Sequence, residues 1–406
     1  MAEPTRRVLL HVGTPKTGTS YLQDVLFHNR DRLARHGVLY PADRFDAHFL
    51  AALDLMDMEW GGLERQAVGA WDRLAEQVRG WRGTVIVSHE ILATASRQQV
   101  ARALESFIDP ADPDGTEVHV VLSARDLVRQ VPAEWQENVK HRRTIGYRAY
   151  LDTIVDPARE GLLASWFWGV QEVPDILDRW AGTLPPARVH LVTVPRPGAP
   201  RDLLWQRFSG VLGLDGLDLE HETERTNASM GVPETALVRR VNEQVNKGVL
   251  ANEDYRRFVR ELMAHQTLSL RTGSHRLALP ADVHRWAVEL EDRWIEALAP
   301  RGYDVVGSLD DLRADPEPAP FADPDVPDEV EVTDAAIASV VSLLTEAARL
   351  RQREDYLARE LDAAYVELEG ARGLWFRAKR RLVRLADDHR AAALSLAVYR
   401  RLRGRA

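Results

Sequence analysis

No cysteine occurs among the 406 residues. That excludes disulfide staples, thiolate nucleophiles and cysteine-ligated zinc, and leaves the compartment open. Long hydrophobic runs are missing too; none approaches the roughly 18–20 residues of a membrane-spanning helix. The short Val8-Leu9-Leu10 run stops at a polar, Gly-rich stretch from residue 13, so it is no signal-peptide core. Lysine is scarce: Lys16, Lys140, Lys247 and Lys379 stand against 49 arginines, which makes each retained lysine worth inspection. The histidines form no H-x-x-x-H pair with supporting acids, so no metal site is expected, and there is no G-x-S-x-G elbow of a hydrolase.

What is present is ordinary for a soluble globular chain, with 45% hydrophobic and 28% charged residues. The net charge of −9 hides an asymmetry, because residues 371–406 hold 11 basic and 2 acidic side chains. The body, residues 1–370, is therefore acidic and a poor general binder of nucleic acid; attraction to phosphate-rich surfaces belongs to the tail. A cytoplasmic enzyme or binding protein is the expectation.

Short apolar strands are predicted at 6–12, 84–88, 117–122 and 188–194, with helical patterns at 126–143, 171–182, 201–212, 233–247 and 281–298. Strands alternating with helices predict an α/β fold, a parallel sheet covered by helices on both faces. The expected domains are an α/β body over 1–314 and a Pro/acid-rich linker over 315–332. An amphipathic helix or coiled coil over 333–370 and a basic amphipathic tail over 371–406 follow. One heptad register puts Val340, Ala347, Leu361 and Leu368 at a, and Leu343, Leu350, Leu357 and Ala364 at d, with Glu354 breaking the a series. A helix docked on the body and self-association through 340–368 are the two readings. The tail is either solvated or laid on an anionic membrane, at the inner face.

The strand at 6–12 runs directly into Gly13-Thr14-Pro15-Lys16-Thr17-Gly18-Thr19-Ser20, after which Leu22, Val25 and Leu26 recur at helical spacing. A strand, a Gly-rich turn and a helix N-terminus make an anion site, P-loop-like in plan. The triphosphatase version reads G-x-x-x-x-G-K-[ST]; here Gly13, Gly18 and Ser20 fit, but Thr19 takes the lysine position and the lysine sits at 16. This loop resembles the 5′-phosphosulfate-binding loop of sulfotransferases, which use 3′-phosphoadenosine-5′-phosphosulfate as sulfuryl donor. The resemblance implies donor contacts from Thr14, Pro15, Lys16, Thr17, Gly18, Thr19 and Ser20, with Lys16 also catalytic and no metal required.

Two further stations follow from the resemblance. Strand 117–122 leads into Ser123-Ala124-Arg125, and Arg125 matches the family's 3′-phosphate arginine. The family's serine eight positions on is Ala133 here, with Arg129, Gln130 and Gln136 as substitutes. Strand 84–88 ends in Ser88-His89-Glu90, where the family carries a catalytic histidine or glutamate; Glu90 is the preferred base and His89 the alternative. Arg225, Asn227 and Ser229 lie in a polar loop of the kind that closes over the nucleotide. Trp135, Tyr147, Tyr150, Trp166, Phe167 and Trp168 are either core or a wall for a flat acceptor.

The implied activity is sulfuryl transfer to a hydroxyl, less readily an amine, of a sugar, glycolipid or small molecule. A nucleotide or small-molecule kinase with a degenerate P-loop, and a non-catalytic nucleotide-binding scaffold docking through its C-terminal helices, are the alternatives.

Overall fold

The computed structural model describes residues 5–221, 229–245 and 248–388. It divides into two compact units, Met1–Ser339 and Val340–Ala406.

The first unit is built on a six-stranded, all-parallel sheet of β1 (Arg6–His11), β2 (Val38–Leu39), β3 (Gly83–Ser88), β4 (Thr116–Ala124), β5 (Val189–Thr193) and β6 (Asp304–Val306). The spatial order is β2-β3-β1-β4-β5-β6. Alternation decides which side chain meets which layer. Val8 and Leu10 of β1 join one core with Val85, Val87, Val120 and Leu122. Leu9, Ile86, Val121 and Val192 face the other, with Leu22 and Leu26 of the first helix. Helices cover both faces, as predicted.

Most of the aromatic group resolves as core: Trp135, Tyr147, Tyr150, Phe167 and Trp168 are buried, while Trp166 is half-buried against Trp60. The stretch expected as a solvated linker is exposed over 315–321, but Pro324 and Pro327 are buried. Asp325 there accepts hydrogen bonds from the N–H groups of Tyr147 and Arg148, capping the helix Tyr147–Val155.

A single helix, Glu329–Asp388, crosses from the first unit into the second. Its Val332, Ala335 and Ser339 are buried in the first unit. In the second unit Val340, Leu343, Leu357, Leu361 and Leu368 are exposed. The tail beyond residue 388 lies outside the described residues. Among the described residues no helix is long and apolar enough to cross a membrane.

Candidate active site

Strand β1 lies between β3 and β4, so three carboxyl ends meet: the loop after β1, the Ser88-His89-Glu90 turn after β3, and Arg125 after β4. Open α/β sheets bind ligands at such ends, where the strand order reverses.

The loop is fastened from below. Thr14 N–H donates to Ser123 O at 2.7 Å, and Ser123 Oγ donates to Gly13 O at 2.8 Å. The buried His11 ring bridges β3 and β4, 2.8 Å from Ser88 Oγ and 3.1 Å from Ser123 Oγ. Burial pulls this imidazole down to about 4, so it is neutral. Gly13 holds φ +120°, and a Cβ there would stand 2.9 Å from Glu90 O, so the loop packs directly on the β3 turn.

The Thr17 and Thr19 hydroxyls brace the loop, both donating to Thr14 O. Thr17 closes a turn over Pro15-Lys16, and the N–H groups of Lys16, Gly18, Thr19 and Ser20 find no acceptor among the described residues. The helix Thr19–His28 has no side-chain cap and no acid in its first turn. Lys16, in the left-handed region at φ 62°, helps fold these donors into a concave nest. Its ammonium donates to Glu137 Oε2 at 2.5 Å.

Arg125 follows β4 with Nη2 donating to Arg129 O at 2.8 Å, while its Nε is buried without a partner. Burial pulls the guanidinium down to about 10, against the charge of Asp126. Of the expected substitutes for the missing serine, Gln130 Nε2 is committed to Pro15 O and Gln171 Oε1. Gln136 is committed to both backbone groups of Met230, just after the exposed Ser229. Arg129 is paired with Asp126 and Pro195 O and keeps a buried, unpartnered Nη2. Arg225 and Asn227 lie outside the described residues.

At the β3 end, His89 Nδ1 accepts the N–H of Ile91 at 3.3 Å, and the ring stacks on Phe49. Burial holds its pKa below the ordinary value. Glu90 Oε2 accepts from Gln23 at 3.0 Å. Burial pushes Glu90 up, but His89, its own N–H, Gln23 and His11 outweigh that and leave it below the usual carboxylate range.

One carboxyl had no local signal in the sequence. Glu134, in the helix Leu127–Lys140, is buried and accepts from Gln171 Nε2 at 3.1 Å. Burial pushes it up to about 7, opposed by Lys16 and Arg125 and reinforced by Glu137 and Glu90. Among the described residues no three His, Asp or Glu side chains are grouped to hold a metal ion.

No protein-family model and no curated protein matches the chain. Among solved structures it is similar to the crystal structure of a sulfotransferase from Alicyclobacillus acidocaldarius, at 18% identity and a TM-score of 0.37, over 60% of this chain and 93% of that one.

Proposed function

We propose that the protein is a sulfotransferase, moving a sulfuryl group from 3′-phosphoadenosine-5′-phosphosulfate to a hydroxyl of a carbohydrate or small-molecule acceptor. The observation that carries this reading is the loop after β1. Beside a helix start, four of its N–H groups lack acceptors among the described residues, and its only lysine is Lys16, with Thr19 where a triphosphatase needs lysine. Arg125 and Arg129, each with a buried unpaired N–H, suit a second phosphate one strand away.

In this mechanism Lys16 and the loop N–H groups stabilise the negative charge that develops on the departing 5′-phosphate oxygen. A phosphate seated there competes with Glu137 for the Lys16 ammonium. The bond from sulfur to the phosphate oxygen breaks as the bond to the acceptor oxygen forms, and Glu90 takes the acceptor's proton. Much of the advantage comes from alignment of acceptor, sulfur and leaving oxygen.

Titration with 3′,5′-adenosine bisphosphate and with ATP, each with and without magnesium, tests the reading. Metal-independent binding of the bisphosphate, weakened in Lys16→Ala, is the expected result. Preference for ATP with magnesium would make the protein a kinase, and nucleotide binding without transfer to any acceptor would make it a scaffold.

A further inference from the structure

The chain places two of its four lysines, Lys16 and Lys140, around one carboxylate. Glu137 Oε2 takes Lys16 Nζ at 2.5 Å, while Oε1 receives His141 Nε2 at 3.1 Å and Arg260 Nη2 at 3.3 Å. Arg260 and His265 come from a separate π-helical segment, Arg256–His265, packed against the helix Leu127–Lys140. Lys140, one turn beyond Glu137, is only 6% exposed and makes no ion pair with the described residues. Arg260 Nε is buried without a partner.

The charges do not balance. Lys16, Lys140 and Arg260 bring three positive charges to a single half-buried carboxylate. Burial pulls the Lys140 ammonium down to about 8; Glu137 opposes this, and Lys16 and Arg260 add to it. The ammonium is thus still mostly charged at neutral pH. His265 is lowered to about 4 by burial with Lys140 next, so it stays neutral and is a hydrogen-bonding group. Glu261, the other carboxylate acting on Lys140, is exposed, where water screens it. Glu134 is held by Gln171 and answered by Arg125. Glu137 is already satisfied by Lys16 and Arg260, so Lys140 is not needed to neutralise it. With its stem buried and its ammonium unpaired at the edge of the protein, Lys140 gains by taking an anion. In a chain that otherwise chooses arginine, lysine here supplies a compact, strongly hydrated charge on a flexible stem.

We propose that Lys140 and Arg260, bordering the Lys16 loop, form an anion subsite for the acceptor, which is therefore a hydroxyl compound carrying a fixed carboxylate or sulfate, such as an acidic saccharide. This rests on the sulfuryl-transfer reading for the identity of the bound molecule, but the subsite is measurable without turnover. The full-length protein is first saturated with 3′,5′-adenosine bisphosphate, which fills the loop, and then titrated with inorganic sulfate by calorimetry. One saturable sulfate site is expected. Lys140→Met should weaken it about tenfold or more, Lys140→Arg should largely restore it, and Arg260→Gln should act like the methionine variant. Bisphosphate affinity should change less than sulfate affinity throughout, since Lys140 and Arg260 act on the loop only through Glu137 and Lys16. Absence of a saturable sulfate site, or a site indifferent to all three variants, overturns the subsite. So does equal loss of bisphosphate and sulfate binding in Lys140→Met, because the cations would then serve the donor. In transfer assays with a glucuronate-terminated disaccharide and its glucose counterpart, a higher kcat/KM for the uronate is expected, lost in Lys140→Met. Equal kcat/KM for the two sugars overturns the acceptor class. Failure to bind the bisphosphate at all sinks the sulfotransferase reading instead, and the sulfate titration of the nucleotide-free protein still reports on the subsite.

Discussion

Glu90 and His89 are neighbours, yet only one keeps a lone pair for a substrate. The His89 Nδ1 lone pair is spent on Ile91 N–H, so the neutral ring carries its proton on Nε2. Glu90 Oε2 accepts from Gln23, and a carboxylate keeps further lone pairs for a substrate proton. Glu90→Gln should therefore slow transfer by about 10²–10⁴-fold with near-normal bisphosphate affinity, while His89→Asn costs less. A base must be ionised, so activity falls as pH drops through its pKa. With Glu90 held below the usual range, that acid limb should lie below about 4.3. A limb near 7 would transfer the role to Glu134. The same Glu134 makes a stability prediction. Its folded pKa is raised to about 7, so the protonated form is favoured in the fold. The stability this contributes is complete below the unfolded value of about 4.3 and lost as pH rises through about 7. Glu134→Gln should match the wild type near pH 4 and exceed it above pH 7, by on the order of 3 kcal/mol. Melting curves at several pH values measure this; a gain that does not change with pH would rule out the carboxyl's burial as its cause.

The helix Leu127–Lys140 carries Glu134, Glu137 and Lys140 and starts two residues after Arg125, so its first turn sets the geometry of the site. Asp126 caps it locally, accepting Arg129 N–H at 2.9 Å. A second acceptor arrives from the helix Ala281–Leu298: the fully buried Glu291 takes Leu127 N–H at 2.6 Å and Val128 N–H at 3.3 Å through Oε1, and Ala314 N–H through Oε2. A carboxyl at a helix N-terminus meets both the free N–H groups and the dipole. Glu291→Ala should cost several kcal/mol, since an unsatisfied buried donor costs about 1–3 kcal/mol. Denaturant unfolding measures the loss. A fall in bisphosphate affinity should accompany it although Glu291 touches no phosphate, because Arg125 precedes the loosened turn. Full stability of the alanine variant would mean that Asp126 alone holds the helix start.

At the scale of the molecule, the helix Glu329–Asp388 has two characters. Asp328 Oδ1 accepts Val330 N–H at 2.8 Å at its start, Arg240 pairs with Glu329, and Val332 and Ala335 are buried. From Val340 most apolar a and d positions are exposed in the described chain, including Leu357 and Leu361, and Leu350 is half-buried. An exposed heptad seam is best satisfied by another helix. Sedimentation of the full-length protein should therefore show self-association that the double variant Leu357→Glu, Leu361→Glu abolishes. Identical sedimentation of the two proteins would mean the seam has no such role.

Sequence alone determined the four longer strands, the parallel α/β plan and the strand–turn–helix form of the loop at 13–20. Each of these is local: an apolar run bounded by turns, or glycines at positive φ beside a helix start. Strands β2 and β6 were not legible. They hold two and three residues, and they exist because β3 and β5 offer open edges, pairing Val38 with Thr84 and Asp304 with His190. Composition left the aromatic cluster open between core and acceptor wall, and burial settled it as core for all but the half-buried Trp166. The partners of the site were beyond the sequence for the same reason. Lys16 meets Glu137 across 121 residues, and Glu291 reaches Leu127 across 164. Those pairings depend on how helices pack over the sheet. Only that packing turned Glu134, which reads as an ordinary helix-surface acid, into a buried carboxyl, and Lys140 into an unpaired cation beside the loop.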